Sequence, residues 1–226
     1  MMPFPGGIES TSNATLLISV AAAVLYALVL NTRPTWVRTI VKTIPVTLLA
    51  VLTVLENGPL LLFAALALSA AGDAFLSREN ERTFLYGLGS FLLAHLAYIA
   101  LFYLNGGGYE LLLTELWRSG AAIVLALFAL AMLVLLLRVV SPDLRLPIFV
   151  YILAIAAMGV VAFTTSNVWI ISGALLFIAS DAFLATEKFL MPAISRQRDW
   201  MRFAVWGLYV AAQVAITLGF VLQRAH

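Results

Sequence analysis

Residues 121–137 read AAIVLALFALAMLVLLL, an uninterrupted apolar run that lies between Arg118 and Arg138. An α-helix needs about 20 apolar residues to cross the hydrocarbon core of a bilayer. On both sides of this run, the chain continues with further apolar stretches of similar length, about eight in all, separated by short polar turns. The sequence therefore predicts an all-α polytopic membrane protein with about eight transmembrane helices.

The composition leaves little room for a separate soluble domain. Of the 226 residues, 63% are hydrophobic and 11% are charged, and the mean hydropathy is +1.05. Soluble domains are about 45–50% apolar, so this chain is not a soluble globule. A transmembrane β-barrel is excluded as well, because its strands alternate apolar and polar residues over about ten positions. We expect a single integral membrane domain over residues 1–226.

The scarce residue types exclude several kinds of chemistry. The chain has no cysteine and two histidines, one of them His226, so neither a disulfide nor a transition-metal site is expected. The net charge is +2 and no two basic residues are adjacent, which excludes a nucleic-acid-binding protein. Residues 1–13 contain no Lys or Arg and lack the basic segment of a signal peptide, so we interpret the first apolar run as a retained helix.

The basic residues predict the orientation of the spans. Turn signals such as Asn57-Gly58-Pro59 separate the spans, which are 14–30, 36–55, 59–77, 83–104, 118–138, 146–163, 168–187 and 200–222. Eight crossings leave only Arg118 and Arg224 on one side. The other side receives Arg33, Arg38, Lys42, Arg78, Arg82, Arg138, Arg145, Lys188, Arg196, Arg198 and Arg202. The positive-inside rule places this second side in the cytoplasm and both termini outside, in the cytoplasmic (inner) membrane.

The chain contains a short internal repeat. Residues 72–76, GDAFL, recur as residues 180–184, SDAFL. The neighbouring segments also align: Gly89 to His95 with Gly207 to Gln213, and Lys42-x-x-Pro45 with Arg145-Leu-Pro147. We expect two parallel four-helix repeats, over about 14–104 and 118–222, because each copy crosses the membrane an even number of times. The alternative is coincidence, since Ala, Phe and Leu are frequent in this chain.

Two carboxylates lie inside the predicted spans, Asp73 and Asp181. An ionised residue in a span costs about 2.5–3.5 kcal/mol, so each is a functional candidate. If the repeat brings them together, the two carboxyls cannot both ionise cheaply and would share a proton, which supplies one acid and one base. The alternative is that each Asp caps a helix or pairs with a loop arginine such as Arg78.

Other polar side chains lie at helical spacing near these acids. Lys42 either extends to the cytoplasmic face or offers a point charge to a phosphate. His95 and Tyr98 share one face of the fourth span, and Tyr209 and Gln213 share one face of the eighth. A buried histidine is more often a packing residue than part of a site, so both interpretations stay open for His95.

The ordered set of motifs resembles the YhhN family of membrane proteins, whose animal relatives are the lysoplasmalogenases. The resemblance covers about residues 40–216. Its motifs are Lys42-x-x-Pro45, Ser69-x-x-Gly72-Asp73, Gly89-x-Phe91-x-x-x-His95-x-x-Tyr98, Gly173-Ala-x-x-Phe177-x-x-Ser180-Asp181 and Tyr209-x-x-Ala212-Gln213.

The resemblance implies an eight-span hydrolase that cleaves the vinyl ether bond of lysoplasmalogens. The products are a fatty aldehyde and glycerophospho-ethanolamine or -choline. It implies Asp73 and Asp181 as catalytic residues, with a substrate-binding set around them: Lys42, Ser69, His95, Tyr98, Ser180, Tyr209 and Gln213. The expected partners are the lysophospholipid and membrane lipid, and the chemistry requires no cofactor.

A second hypothesis is a small proton-coupled transporter or lipid translocator that uses the same pair of acids, since parallel repeats with acidic residues at their junction also describe carriers. Depth separates the two hypotheses. Alternating access favours a site near the midplane of the bilayer, whereas Asp73 and Asp181 lie near the cytoplasmic ends of their spans.

Overall fold

The computed structural model describes residues 2–78, 80–192 and 194–224, so His226 lies outside the described residues. Within these ranges the chain forms nine α-helices and no β-strand, which confirms the prediction of an all-α protein. A 3₁₀ turn over Gly7–Glu9 precedes the first helix, and a π-helical turn over Thr186–Leu190 follows the eighth. The helices are α1 (Thr11–Val29), α2 (Trp36–Leu55), α3 (Leu60–Leu76), α4 (Glu81–Asn105), α5 (Glu110–Thr114), α6 (Leu116–Val139), α7 (Pro142–Ala162), α8 (Val168–Ala185) and α9 (Gln197–Arg224).

Each predicted span corresponds to one helix. In the described part of the chain, seven helices are long and apolar enough to cross a bilayer, and α3 is a shorter apolar helix of 17 residues. At 1.5 Å per residue α3 is about 26 Å long. Short loops join it to α2 and α4, and short connections make neighbouring helices antiparallel. The chain is therefore an integral membrane protein. The short helix α5 lies in a connection that the sequence predicts as a turn.

Side-chain caps fix where three of the helices begin. Thr35 accepts a hydrogen bond from the amide of Arg38 at 3.1 Å, and Asn80 accepts one from Thr83 at 2.8 Å. Asn167 does the same for Trp169, at 2.9 Å. These caps satisfy N–H groups that have no partner in the first turn of a helix. The capped helices α2, α4 and α8 all contribute side chains to the site described below.

The two halves of the chain pack in the same order. In the first half α1 packs on α2, α2 on α3 and α3 on α4, and in the second half α6 packs on α7, α7 on α8 and α8 on α9. The halves meet mainly through α2 with α9 and α4 with α7. In the two halves α2 corresponds to α7 and α4 corresponds to α9, so the α2–α9 contact is equivalent to the α4–α7 contact. This arrangement supports two parallel repeats over about 14–104 and 118–222, which remain a prediction.

The helix α6 is the most peripheral of the long helices. Among its residues only Arg118, Leu125 and Leu136 are buried, and most of its leucine, valine and isoleucine side chains face outward. Arg118 fastens its first turn to the end of α7. Its Nη1 donates to the carbonyls of Phe163 and Thr165, each at 2.6 Å. A cation there satisfies carbonyl groups that have no partner at a helix C-terminus.

Candidate active site

Asp73 lies in the last turn of α3 with its carboxylate almost fully buried. Its Oδ1 is 3.2 Å from Nζ of Lys42 on α2, and the exposed fractions of the two side chains are 3% and 13%. Its Oδ2 accepts a hydrogen bond from the Tyr209 hydroxyl on α9 at 2.6 Å. One oxygen therefore faces a cation and the other faces a neutral donor. The carboxylate pairs with Lys42 and not with Arg78, the loop arginine considered as its alternative partner.

Asp181 lies near the end of α8 in a different electrostatic setting. Its Oδ2 accepts a hydrogen bond from the Tyr151 hydroxyl on α7 at 2.5 Å. Nε2 of His95 on α4 lies 3.8 Å from the same oxygen. Within the described ranges no lysine or arginine reaches ion-pair distance of this carboxyl. Asp181 thus lacks the permanent positive charge that accompanies Asp73.

The partners of the two acids come from equivalent helices. Asp73 is contacted by Lys42 from its own half of the chain and by Tyr209 from α9 of the other half. Asp181 is contacted by Tyr151 from its own half and approached by His95 from α4 of the other half. In the described part of the chain the two carboxyls form no hydrogen bond with each other. Sharing of a proton between them stays a prediction.

A layer of aromatic rings lies between the helices that carry the acids. The ring of Phe177 is 4.8 Å from the ring of His95 and 5.5 Å from the ring of Tyr209, in edge contacts. Phe91 makes a similar contact with Tyr209 at 5.8 Å. Gly72 makes room for this layer, because a Cβ at that position would lie 2.6 Å from the Phe91 ring. The motif glycine before Asp73 therefore allows α3 and α4 to pack closely beside the acid.

Both acids line one cavity of about 910 Å³ at the end of the bundle where the sequence predicts the cytoplasm. The α1–α2 loop, the ends of α3 and α8 and the start of α9 form its walls. Three members of the predicted substrate-binding set also line it: Lys42, Ser180 and Tyr209. Ser180 donates a hydrogen bond to the Val205 carbonyl at 2.9 Å and so joins α8 to α9.

Basic side chains outnumber acidic ones by eight to four on the described wall of this cavity. The acidic residues are Asp73, Asp181, Glu187 and Asp199, and the basic ones are Arg33, Arg38, Lys42, Arg78, Lys188, Arg196, Arg198 and Arg202. Among the described residues, Nε of Arg38 and Nη2 of Arg78 are buried and have no hydrogen-bond partner, and the Arg78 guanidinium stacks 3.8 Å above the Trp36 ring. Guanidinium groups with unused N–H donors bind phosphate and carboxylate well. The cavity is therefore suited to an anionic group.

The other four members of the predicted set are buried behind the cavity lining. They are Ser69, His95, Tyr98 and Gln213. Tyr98 donates a hydrogen bond to Oε1 of Gln213 at 2.5 Å. Polar atoms of the other three positions form no hydrogen bond within the described ranges: Ser69 Oγ, both ring nitrogens of His95, and Nε2 of Gln213. These side chains lie next to residues of the site and do not face the cavity.

Two residues near the acids escape the sequence analysis. Tyr151 is the hydrogen-bond donor to Asp181, and its only signal in the sequence is a polar tip in an apolar span, four residues after Pro147. Glu187 is buried in the π-helical turn, where Arg198 approaches it at 2.8 Å and Arg202 at 3.3 Å. No sequence motif marks either contact.

Comparison with known proteins relates the chain to named enzymes. It is 32% identical over 168 residues to the lysoplasmalogenase of Mycobacterium tuberculosis, a match that covers 72% of this chain and 61% of the relative. The chain thus spans less than two thirds of that relative. It is 36% identical over 192 residues to lysoplasmalogenase TMEM86B of Sus scrofa, which covers 82% of this chain and 76% of the relative.

A third relative, lysoplasmalogenase TMEM86A of Homo sapiens, is 29% identical over 212 residues, which covers 86% of this chain and 82% of the relative. No solved structure matches the chain. The family model described as YhhN matches residues 37–220, the region that holds Lys42, both acids and their tyrosine partners. This match confirms the resemblance that the motifs around Asp73 and Asp181 predict, and the chain belongs to the YhhN family.

Proposed function

We propose that this protein is a membrane-embedded hydrolase that cleaves the vinyl ether bond of lysoplasmalogens. The products are a fatty aldehyde and glycerophospho-ethanolamine or glycerophosphocholine. The observation that carries the proposal is the presence of two unlike carboxyls, Asp73 and Asp181, on the wall of one basic cavity. The names of the curated relatives, which are lysoplasmalogenases, support the same substrate class.

Vinyl ethers are hydrolysed through protonation of carbon. A proton added to the β-carbon of the vinyl group gives an oxocarbenium ion. Water then attacks the α-carbon to form a hemiacetal, which collapses to an aldehyde and an alcohol. An enzyme for this reaction needs a proton donor beside the β-carbon and a base beside the attacking water.

We assign the proton donor to Asp181. A carboxyl in a poorly solvated site without a permanent cation favours its neutral form, which can donate a proton. Among the described residues no lysine or arginine reaches ion-pair distance of Asp181, and its close neighbours are the Tyr151 hydroxyl and His95.

We assign the base to Asp73. The charge of Lys42 at 3.2 Å favours the ionised form of this carboxyl, and the Tyr209 hydroxyl holds its second oxygen. An ionised carboxylate also stabilises the positive charge of the oxocarbenium ion. Lys42 therefore acts on the substrate through Asp73.

The two assignments give a balanced cycle. Asp181 donates its proton to the β-carbon. Asp73 then accepts a proton from the water molecule while the water oxygen bonds to the α-carbon. In the second half, Asp181 takes the proton of the hemiacetal hydroxyl while the bond between carbon and the glycerol oxygen breaks. Asp73 returns its proton to that oxygen, so both acids regain their starting states.

The basic cavity accounts for the head group. The phosphate of the lysolipid is anionic. Arg38 and Arg78 line the cavity, and each has a guanidinium nitrogen that forms no hydrogen bond with the described residues. Lys42, Ser180 and Tyr209 also line the cavity, so they are the members of the predicted set that remain closest to bound substrate. We assign Ser69, His95, Tyr98 and Gln213 to positioning, because they lie behind the lining. The site then faces the cytoplasm in the inner membrane, with both termini outside.

Release of aldehyde from purified protein tests the proposal. Detergent-solubilised protein is incubated with a vinyl ether lysolipid and, as a control, with the saturated alkyl ether lysolipid of the same length and head group. We expect aldehyde from the vinyl ether only. The alternative, a proton-coupled transporter or lipid translocator, gives no product without two compartments, so the absence of aldehyde would reject the hydrolase.

A further inference from the structure

We infer that a narrow apolar crevice beside the basic cavity binds the hydrocarbon chain of the substrate, with its entrance at Asp181. This inference rests on the proposed function and adds the position of the chain to it. The crevice lies between α4, α6, α7 and α8. Its ligand is one long aliphatic chain attached to a phosphate-bearing head group.

The lining of the crevice is almost entirely hydrocarbon. Typical lining residues are Leu88 on α4, Phe128 and Met132 on α6, and Ile152 and Ile155 on α7. The polar side chains that reach it are Tyr151, Asp181 and Lys188. Along α6 the lining runs from Leu125 to Leu136, about 16 Å at 1.5 Å per residue. This shape and chemistry fit an extended alkyl chain and do not fit a charged group.

The crevice and the basic cavity share part of their walls. Asp73 lines the cavity only, whereas Asp181 lines both. The other described residues that line both are Leu76, Phe84, Phe91, Leu184 and Lys188. A lysolipid that spans the junction places its phosphate among the arginines and its chain between α6 and α7. The vinyl ether then lies at Asp181, and the β-carbon, which is on the chain side of the ether oxygen, lies towards the crevice. This placement agrees with Asp181 as the proton donor.

The small size of the crevice also explains why the substrate carries a single hydrocarbon chain. A chain that leaves the bilayer gains little from hydrophobic transfer, because lipid is as apolar as the crevice. The protein must therefore select among lipids by the shape of the crevice. The crevice encloses about 90 Å³, against about 910 Å³ for the basic cavity. It therefore admits one chain beside Asp181 and excludes the second chain of a diacyl or alkenyl-acyl lipid, which favours a lysolipid as substrate.

A bulky side chain deep in the crevice tests this inference. Ala156 on α7 lines the crevice, whereas its neighbour Ala157 is exposed on the outer face of the same helix. Ala156 lies more than one turn beyond Tyr151, away from the cavity. We expect Ala156→Phe to lower kcat/KM at least tenfold for a hexadecenyl lysolipid and to spare an octenyl one. The control Ala157→Phe should leave the ratio of the two substrates unchanged, and an equal loss for both chain lengths in Ala156→Phe would contradict the inference.

A second pair of variants covers the case in which Ala156→Phe does not fold. On α6, Ala129 lines the crevice and Ala131 is exposed. Ala129→Leu should shift the preference towards shorter chains, and Ala131→Leu should not. No shift in a folded Ala129→Leu protein would likewise reject the crevice as the chain site.

Photolabelling separates a failure of the inference from a failure of the proposed function. A non-cleavable alkyl ether lysolipid with a diazirine near the end of its chain is bound to wild-type protein and irradiated, with and without excess unlabelled lysolipid. We expect competed labelling within 125–136 of α6 and 148–156 of α7. Labelling spread over the outer faces of all helices would overturn the crevice as a chain site. Competed labelling in the crevice without aldehyde release in the assay above would reject the hydrolase and support the crevice.

Discussion

The Tyr209 hydroxyl lies 2.6 Å from Oδ2 of Asp73, although 136 positions separate the two residues in the chain. This hydrogen bond joins α9 of the second half of the chain to α3 of the first. Asp181 has a counterpart in the Tyr151 hydroxyl, at 2.5 Å. Each acid thus accepts a hydrogen bond from a tyrosine, and the two acids differ in their second neighbour, which is Lys42 at 3.2 Å for Asp73 and His95 at 3.8 Å for Asp181.

Removal of the Tyr209 hydroxyl should weaken catalysis without unfolding the protein. A hydrogen bond to a charged group contributes about 1.5–3 kcal/mol, so Tyr209→Phe should lower kcat by about 10- to 100-fold. The aromatic ring and its contacts with Phe91 and Phe177 remain. Tyr103→Phe, at a residue that is 72% exposed on α4, is the control and should keep wild-type kcat. Equal kcat in the two variants would remove the Tyr209 hydroxyl from the mechanism.

Neutral substitution of either acid should abolish turnover. Asp73→Asn and Asp181→Asn keep the size of the side chain and remove its acid–base function, which is typically worth 10²–10⁴-fold in rate. Because the two groups act as a unit, the double variant should be no worse than either single variant. Expression and thermal unfolding in detergent report on folding. More than about a tenth of wild-type kcat in one single variant would exclude that residue from the mechanism.

Lys42 should stabilise the fold as well as the ionised state of Asp73. Breaking a buried ion pair by removal of one partner costs about 3–5 kcal/mol, so Lys42→Met should lower the Tm and the activity together. In Lys42→Met/Asp73→Asn the uncompensated charge is absent, and the Tm should return towards the wild-type value while activity stays lost. If adding Asp73→Asn does not raise the Tm of the Lys42→Met protein, then Lys42 does not stabilise the fold by compensating the charge of Asp73.

Isotope labelling should identify the bond that breaks. Turnover in heavy water should place one deuterium on the carbon next to the aldehyde, and rapid reduction to the alcohol preserves that label. Turnover in ¹⁸O-water should leave the glycerol oxygen unlabelled, because water attacks the α-carbon of the vinyl group. Heavy oxygen in the glycerophospho product would reject protonation of the vinyl carbon, even with Asp73 and Asp181 essential.

The orientation can be measured by cysteine labelling, since the chain has no cysteine of its own. Asn31 in the α1–α2 loop and Ser166 in the α7–α8 loop are both exposed. A membrane-impermeant maleimide should label Ser166→Cys in intact cells and Asn31→Cys only after lysis, because the positive-inside rule places the first loop in the cytoplasm. The reverse pattern would invert the topology and place the cavity on the outer side.

The sequence alone determines the fold class and the two acids. Runs of about 20 apolar residues predict helical spans because the backbone must satisfy its own hydrogen bonds in lipid. Asp73 and Asp181 are conspicuous for the same reason. An ionised carboxylate inside such a run is energetically costly, so it is rarely present without a function. The order of the motifs around them also predicts the YhhN family, which the match over residues 37–220 confirms.

The partners of the acids are decided only by the tertiary structure. The sequence gives no spacing rule that pairs Lys42 with Asp73, or Tyr151 with Asp181, because these contacts cross between helices that pack side by side. The same holds for Ser69, His95, Tyr98 and Gln213, which share helices with lining residues and yet lie behind the cavity. Helical periodicity places a side chain on a face of its helix, whereas the neighbour of that face is fixed by how the helices pack. Which side chain meets a cation, a hydroxyl or an apolar crevice is therefore a property of the packed bundle.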